Sequence, residues 1–149
     1  MAMKVLVPVD GSKHAAEGLR IAASYVKTHG AKTYIMTVIP SVADIDLELS
    51  ASERDRLLES LKQRGEDLLT RCEAQFRKLG AGECSTVLST ASSPESEIIS
   101  FAEKEKIDVI VIGSRGRNAN GCFHLGSTTA NVVRHSPCCV YVVKEPCWA

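Results

Sequence analysis

Gly113 and Gly116 are followed, after nine intervening residues, by Gly126 and then by Ser127 and Thr128. Just before them runs the apolar, β-branched stretch Ile107 to Ile112, and after them Ser127 to His135 has helical character. A strand feeding a glycine-rich turn that feeds a helix is physically an anion trap. Glycines let the backbone approach a ligand closely, and the first helical turn presents N–H groups with no partner inside the helix. Ser127 and Thr128 bring hydroxyls to the expected N-cap. Arg115 and Arg117 supply charge suited to a phosphate. This pattern reads as the phosphate end of a nucleotide site, with Gly121 as plain flexibility. Asp10, at the end of another apolar run, is suited to accept hydrogen bonds from ribose hydroxyls. An aspartate at a strand-to-helix turn is also a common turn former.

The same residues fall short of hydrolytic chemistry. A phosphoryl-transfer site carries a lysine, a metal-binding carboxylate and a group that orients the nucleophile. No lysine precedes Ser127-Thr128, so the loop is not a Walker A loop, and no second carboxylate lies in or beside it. His124 is a lone loop histidine, and Asp10 or His124 would have to serve any slow Mg-dependent ATPase or phosphotransferase, the alternative to a binding protein. His14, His29 and His135 read as surface or helix-end positions, with His135 complementing a helix C-terminus. Two folds of similar shape do not fit the residues. A phospho-acceptor receiver would need an aspartate after the third strand, where Ser89-Thr90 stands, and a flavin-mononucleotide fold would need its phosphate loop where Asp10-Gly11-Ser12-Lys13 stands.

Positioning Asp10 opposite the glycine loop requires a particular frame. Lys4 to Val9 reads as a central parallel strand, with Pro8 ending its ladder. Ser12 caps a helix carrying Ala15, Leu19, Ala22, Ala23 and Val26 and stopping at Gly30. Thr33 to Val38 is strand two. After the polar connection Pro40 to Leu49, Ser50-x-x-Glu53 and Ser52-x-x-Asp55 resemble capping boxes. They open a long helix with a stripe of Leu57, Leu58, Leu61, Leu68, Leu69, Cys72, Phe76 and Leu79, ended by Gly80-Ala81-Gly82. Cys84 to Leu88 is strand three, Ser93-Pro94-Glu95 starts a third helix over Ile98, Phe101 and Ala102, and Ile107 to Ile112 is strand four. Cys139 to Val143 is strand five. The alternation predicts an α/β fold: one open, five-stranded parallel sheet, Rossmann-like, with helices on both faces, and the order expected for it is 3-2-1-4-5. Ligands of such sheets bind beyond the carboxyl ends of the strands where the order reverses, here between strands one and four.

The composition agrees with this frame. A chain of 149 residues suits one domain over 1–149 with a sizeable core, and 44% hydrophobic with 24% charged residues is the balance of a soluble globular protein. Lys+Arg and Asp+Glu are equal at 18 each and aromatics are only 5%, so neither nucleic acid nor a membrane surface is an expected partner. Met1-Ala2-Met3-Lys4 leads straight into a strand, so no export signal is expected. The six cysteines, Cys72, Cys84, Cys122, Cys138, Cys139 and Cys147, contain no C-x-x-C pair and read as reduced thiols of a cytoplasmic protein. Cys122 stands apart, because Arg115 and Arg117 near it would lower its pKa, although it reads first as loop filler.

Gly113-x-x-Gly116, nine residues, then Gly126-Ser127 resembles the nucleotide-binding signature of the universal stress protein family, ATP-binding branch. Lys4 to Ser12 and Asp108 to Gly116 resemble that family's first and fourth strands with their turns. The resemblance implies that Pro8, Asp10 and Val38 line the adenosine end, with Val38 meeting adenine through its backbone and Asp10 holding the ribose with help from Gly113. It implies that Gly116, Gly126, Ser127 and Thr128 hold the phosphates of ATP or AMP; Arg115 is the charge the loop adds, and Mg enters with the ATPase alternative. It also implies a stress-response sensor, with a protein partner of unspecified identity, that forms a homodimer through Val140 to Val143. That fits an apolar edge strand, which invites pairing, with capping by Cys147-Trp148 as the competing account. Thr90-Ala91-Ser92-Ser93 and Cys139-Val140 depart from the family pattern, in which a glycine often follows strand three and Pro-Val opens strand five.

Overall fold

The computed structural model describes residues 2–41, 48–114 and 125–144. In chain order the elements are β1 (Lys4–Pro8), α1 (Lys13–His29), β2 (Lys32–Ile39), α2 (Ala51–Lys78), β3 (Ser85–Thr90), α3 (Pro94–Glu105), β4 (Val109–Gly113), α4 (Ser127–His135) and β5 (Cys139–Val143). All five strands are parallel, in order β3-β2-β1-β4-β5. A parallel sheet covered on both faces needs apolar side chains on both, and this is why β1 and β4 are continuous hydrophobic runs. Val5, Val7, Ile35 and Val111 face Leu19 of α1 and Phe76 of α2, while Leu6, Met36, Ile110 and Ile112 face Ile98 of α3 and Val132 of α4.

The helix ends follow local chemistry. Ser12 accepts the Ala15 N–H at 3.2 Å, and Gly30 closes α1 in the left-handed region at φ 64°. Of the two candidate capping boxes the first is used: the Ser50 hydroxyl accepts the Glu53 N–H. Pro94 begins α3 behind the Ser93 cap. β4 starts later than the apolar run, because the Ile107 N–H closes α3 on the Ala102 carbonyl and Asp108 exchanges bonds with the Lys4 backbone. β2 extends one residue beyond Thr33–Val38 at each end, and β3 sits one to two residues later than Cys84–Leu88.

The apolar stripe of α2 is buried in its C-terminal part, at Leu69, Cys72 and Phe76, whereas Leu57, Leu58 and Leu61 are half-buried. Length explains this. The helix has 28 residues, about 42 Å at its usual rise. The longest strand has eight residues, about 26 Å, so one end of the helix has no sheet beneath it. Where α2 crosses β2 and β3 it does so at Gly65, whose added Cβ would lie 2.6 Å from Leu88 Cδ1.

Among the described residues no helix is long and apolar enough to cross a membrane. Cys72, Cys84, Cys138 and Cys139 are free thiols, and Cys122 and Cys147 lie outside the described residues. Burial first, then the nearby Glu73 charge, push the Cys84 thiol up to about 11. At pH 8 roughly one Cys84 in a thousand is then the reactive thiolate. The chain holds this proton longer folded than unfolded, so the associated stability is present at neutral pH and is lost as pH climbs through about 11. Iodoacetamide at pH 8 should label exposed Cys139 and spare Cys84, with Cys84 labelling rising about tenfold per pH unit. Peptide mass spectrometry reads this, and equal labelling of the two at pH 8 contradicts it.

Candidate functional site

At the carboxyl ends of the strands, where the order reverses, β1 stops before β2. Its last bond to β2 runs from the Val9 N–H to the Met36 carbonyl at 2.8 Å, yet β2 continues to Ile39. Successive residues of a parallel strand turn their peptide groups to alternate neighbours. Met36 bonds toward β1, and Ile39 bonds the other way, its carbonyl accepting the Ala91 N–H at 3.1 Å. Val38 therefore turns its N–H and C=O toward β1, past the point where β1 supplies partners. Among the described residues no backbone hydrogen bond reaches Val38 from that side. An adjacent donor and acceptor on one strand edge match the edge of a purine base.

Next to it, Pro8 ends β1 and Asp10 is exposed on the turn into α1. Asp10 Oδ1 accepts the Ser12 N–H at 2.9 Å, so the turn-forming role is real and engages one carboxylate oxygen. Gly11 follows at φ 84°, a conformation that side chains rarely adopt.

Across the crevice the glycines behave differently from one another. Gly113 ends β4 against the first turn of α1, where an added Cβ would lie 2.7 Å from His14 Cβ. Gly126, with extended backbone, is the N-cap of α4 and makes no side-chain cap bond. Ser127 and Thr128 are thus the first two helical residues and not its cap, which corrects the sequence expectation. The first bond inside α4 is from the Ala130 N–H to the Gly126 carbonyl at 2.9 Å. The N–H groups of Ser127, Thr128 and Thr129 precede it, and no acidic side chain stands in that turn. An uncapped helix start without negative charge favours an anion.

Two hydrogen bonds hold this helix start against the end of β4, and a third ties that end to β5. The Gly126 N–H donates to the Ser114 carbonyl at 2.8 Å, the Thr129 hydroxyl donates to the Gly113 carbonyl at 2.6 Å, and the Ser114 N–H donates to the Val143 carbonyl at 2.8 Å. Pro8, Asp10, Val38, Gly113, Gly126, Ser127 and Thr128 therefore gather at the carboxyl ends of β1, β2 and β4 and the start of α4. Arg115 and Gly116 lie outside the described residues, as do Arg117, Gly121, Cys122 and His124. Three residues at the site escaped sequence reasoning. Thr129 is buried and fastens α4 to β4; Ser114 is fully buried, and its Oγ has no partner among the described residues. His14 is buried under the crevice wall, not on the surface, and its spacing of four from buried Gly18 was the available signal. Among the described residues no group of three or more His, Cys, Asp or Glu side chains is arranged to hold a metal ion.

Residues 1–144 match the model of the universal stress protein family, and the chain belongs to that family. It is similar to a universal stress protein of Methanocaldococcus jannaschii, with 30% identity over 96% of this chain and 82% of the relative. Among solved structures, universal stress protein UspA from Lactobacillus plantarum superposes with a TM-score of 0.83 at 26% identity, covering 95% of this chain and 97% of that one. The Archaeoglobus fulgidus universal stress protein, solved in complex with dAMP, shares the fold with a TM-score of 0.69 at 24% identity, over 95% of this chain and 98% of its own.

The Gly113 contact carries a direct expectation. An alanine there must displace α1 or β4, at about 1–3 kcal/mol for overpacking. Urea unfolding of Gly113→Ala should show that loss, and an unchanged midpoint would mean that α1 does not press on β4.

Proposed function

We propose that this chain, folded as one domain over 1–149, is a dimeric, cytoplasmic adenine-nucleotide-binding protein whose occupancy by AMP or ATP regulates a protein partner. The observation that carries the reading is the pairing of two features of opposite kind across one crevice: a free donor–acceptor edge at Val38 and an uncapped helix start at Gly126. One suits a base and the other a phosphate. In this reading Val38 binds adenine through its backbone, Pro8 packs at the adenosine end, and the carboxylate of Asp10 takes a ribose hydroxyl while keeping its turn bond. Gly113 lets the sugar approach β4, and Gly126, Ser127 and Thr128 present N–H groups and hydroxyls to phosphate, with Arg115 and Gly116 completing the cradle. The dAMP held by the Archaeoglobus relative supports an adenine nucleotide as the ligand class.

Calorimetry should register AMP and ATP binding, and Val38→Pro, which removes one donor that the sheet does not use, should weaken AMP by about fivefold, equivalent to about 1 kcal/mol. Absence of heat with AMP, ADP and ATP at millimolar concentration contradicts the reading. Steady phosphate release from ATP with Mg²⁺ that collapses in Gly126→Val would replace it with a slow ATPase.

The dimer is assigned to β5. Among the described residues this strand bonds β4 on one side only, and exposed Tyr141 lies on it. Pairing of Val140 to Val143 with the same strand of a second copy would cover that edge. Sedimentation equilibrium at micromolar concentration should give twice the chain mass, and a strict monomer contradicts the assignment.

A further inference from the structure

Helix starts and outer strands are usually separate parts of an α/β domain, but here one peptide group joins the start of α4 to β5, the outermost strand among the described residues. Its carbonyl, that of Gly113, accepts the Thr129 hydroxyl from the first turn of α4 at 2.6 Å. Its N–H, that of Ser114, donates to the carbonyl of Val143, the last residue of the edge strand β5, at 2.8 Å. Thr129, Ser114 and Val143 are all buried, so water does not compete for these bonds. An amide whose carbonyl accepts a hydrogen bond becomes a stronger donor at its N–H, so the two bonds reinforce each other through one plane.

We propose that the Gly113–Ser114 peptide couples occupancy of the α4 anion site to the closure of β5, with Thr129 as the positioning residue. The inference rests on the nucleotide-binding reading above. An anion on the first-turn N–H groups engages the N–H of Thr129 itself and fixes that turn, which holds the Thr129 hydroxyl on the Gly113 carbonyl. The polarised Ser114 N–H then grips the Val143 carbonyl, and the end of β5 opens less often. Ser114 adds a second tie, since its own carbonyl accepts the Gly126 N–H at the N-cap. The strand affected is the outermost one among the described residues and the one assigned above to the dimer, so ligand and edge pairing are thermodynamically linked and each must strengthen the other by the same factor.

Amide hydrogen exchange on the full chain tests this, with AMP added above the dissociation constant that calorimetry gives for each variant. In the natural chain, AMP should slow exchange at Tyr141 and Val143 by about threefold more than at the amides of β3 on the opposite edge. That excess should vanish in Thr129→Val, which lacks the hydroxyl, and return in Thr129→Ser, which restores it. A natural chain that binds AMP with no excess at β5, or a Thr129→Val chain that keeps it, overturns the coupling while leaving the nucleotide site intact. Absence of binding heat overturns both. If Thr129→Val does not fold, the comparison of β5 with β3 in the natural chain decides alone.

Discussion

At Gly113 the sheet and α1 lie so close that no side chain fits between them, the nearest atom being the Cβ of His14. This contact sets the position of the crevice. The first turn of α1 cannot move toward β4 any further, so the turn that carries Asp10 and Gly11 is held beside the end of β4. From the same point, the Gly113 carbonyl and the Ser114 backbone reach across to Thr129, Gly126 and Val143. The four elements α1, β4, α4 and β5 thus meet at two consecutive residues. A bulkier side chain at 113 would disturb all of these relations at once.

Strand length supplies the second constraint. β2 outlasts β1, and among the described residues the parallel ladder leaves the Val38 peptide without a strand beside it. An exposed peptide edge contributes about 1 kcal/mol per hydrogen bond, and a helix N-terminus adds about 0.3–1 kcal/mol to an anion at exposed positions. Neither alone binds a nucleotide usefully. Held at opposite sides of one crevice they act on two ends of the same molecule, so the second contact carries little further cost in translational freedom.

The fold was legible because its signals are periodic. The parallel sheet follows from alternation of apolar runs with helical segments, and α4 and β5 match their expected boundaries, each framed by a break, Gly126 before one and Ser136-Pro137 before the other. The site was legible in residue type but not in phase. Ser127, Thr128 and Thr129 are three hydroxyls in a row, and only the start of the helix decides which of them is buried. Because Gly126 took the cap, the buried one is Thr129, beside Val132 on the face turned to the sheet. His14 was misjudged for a related reason: a polar residue near a helix start reads as surface until the packing of Gly113 is known. In α2 the stripe of leucines predicted burial along its whole length, and the shorter sheet beneath limits it.

The account stands on one nucleotide spanning both sides of the crevice. A crystal structure of the full chain with AMP tests this most directly. The account predicts the adenine edge on the Val38 peptide and the phosphate on the first-turn N–H groups of α4, in the same molecule, with Asp10 on the ribose. AMP bound elsewhere, or with its phosphate turned away from Gly126, would contradict it.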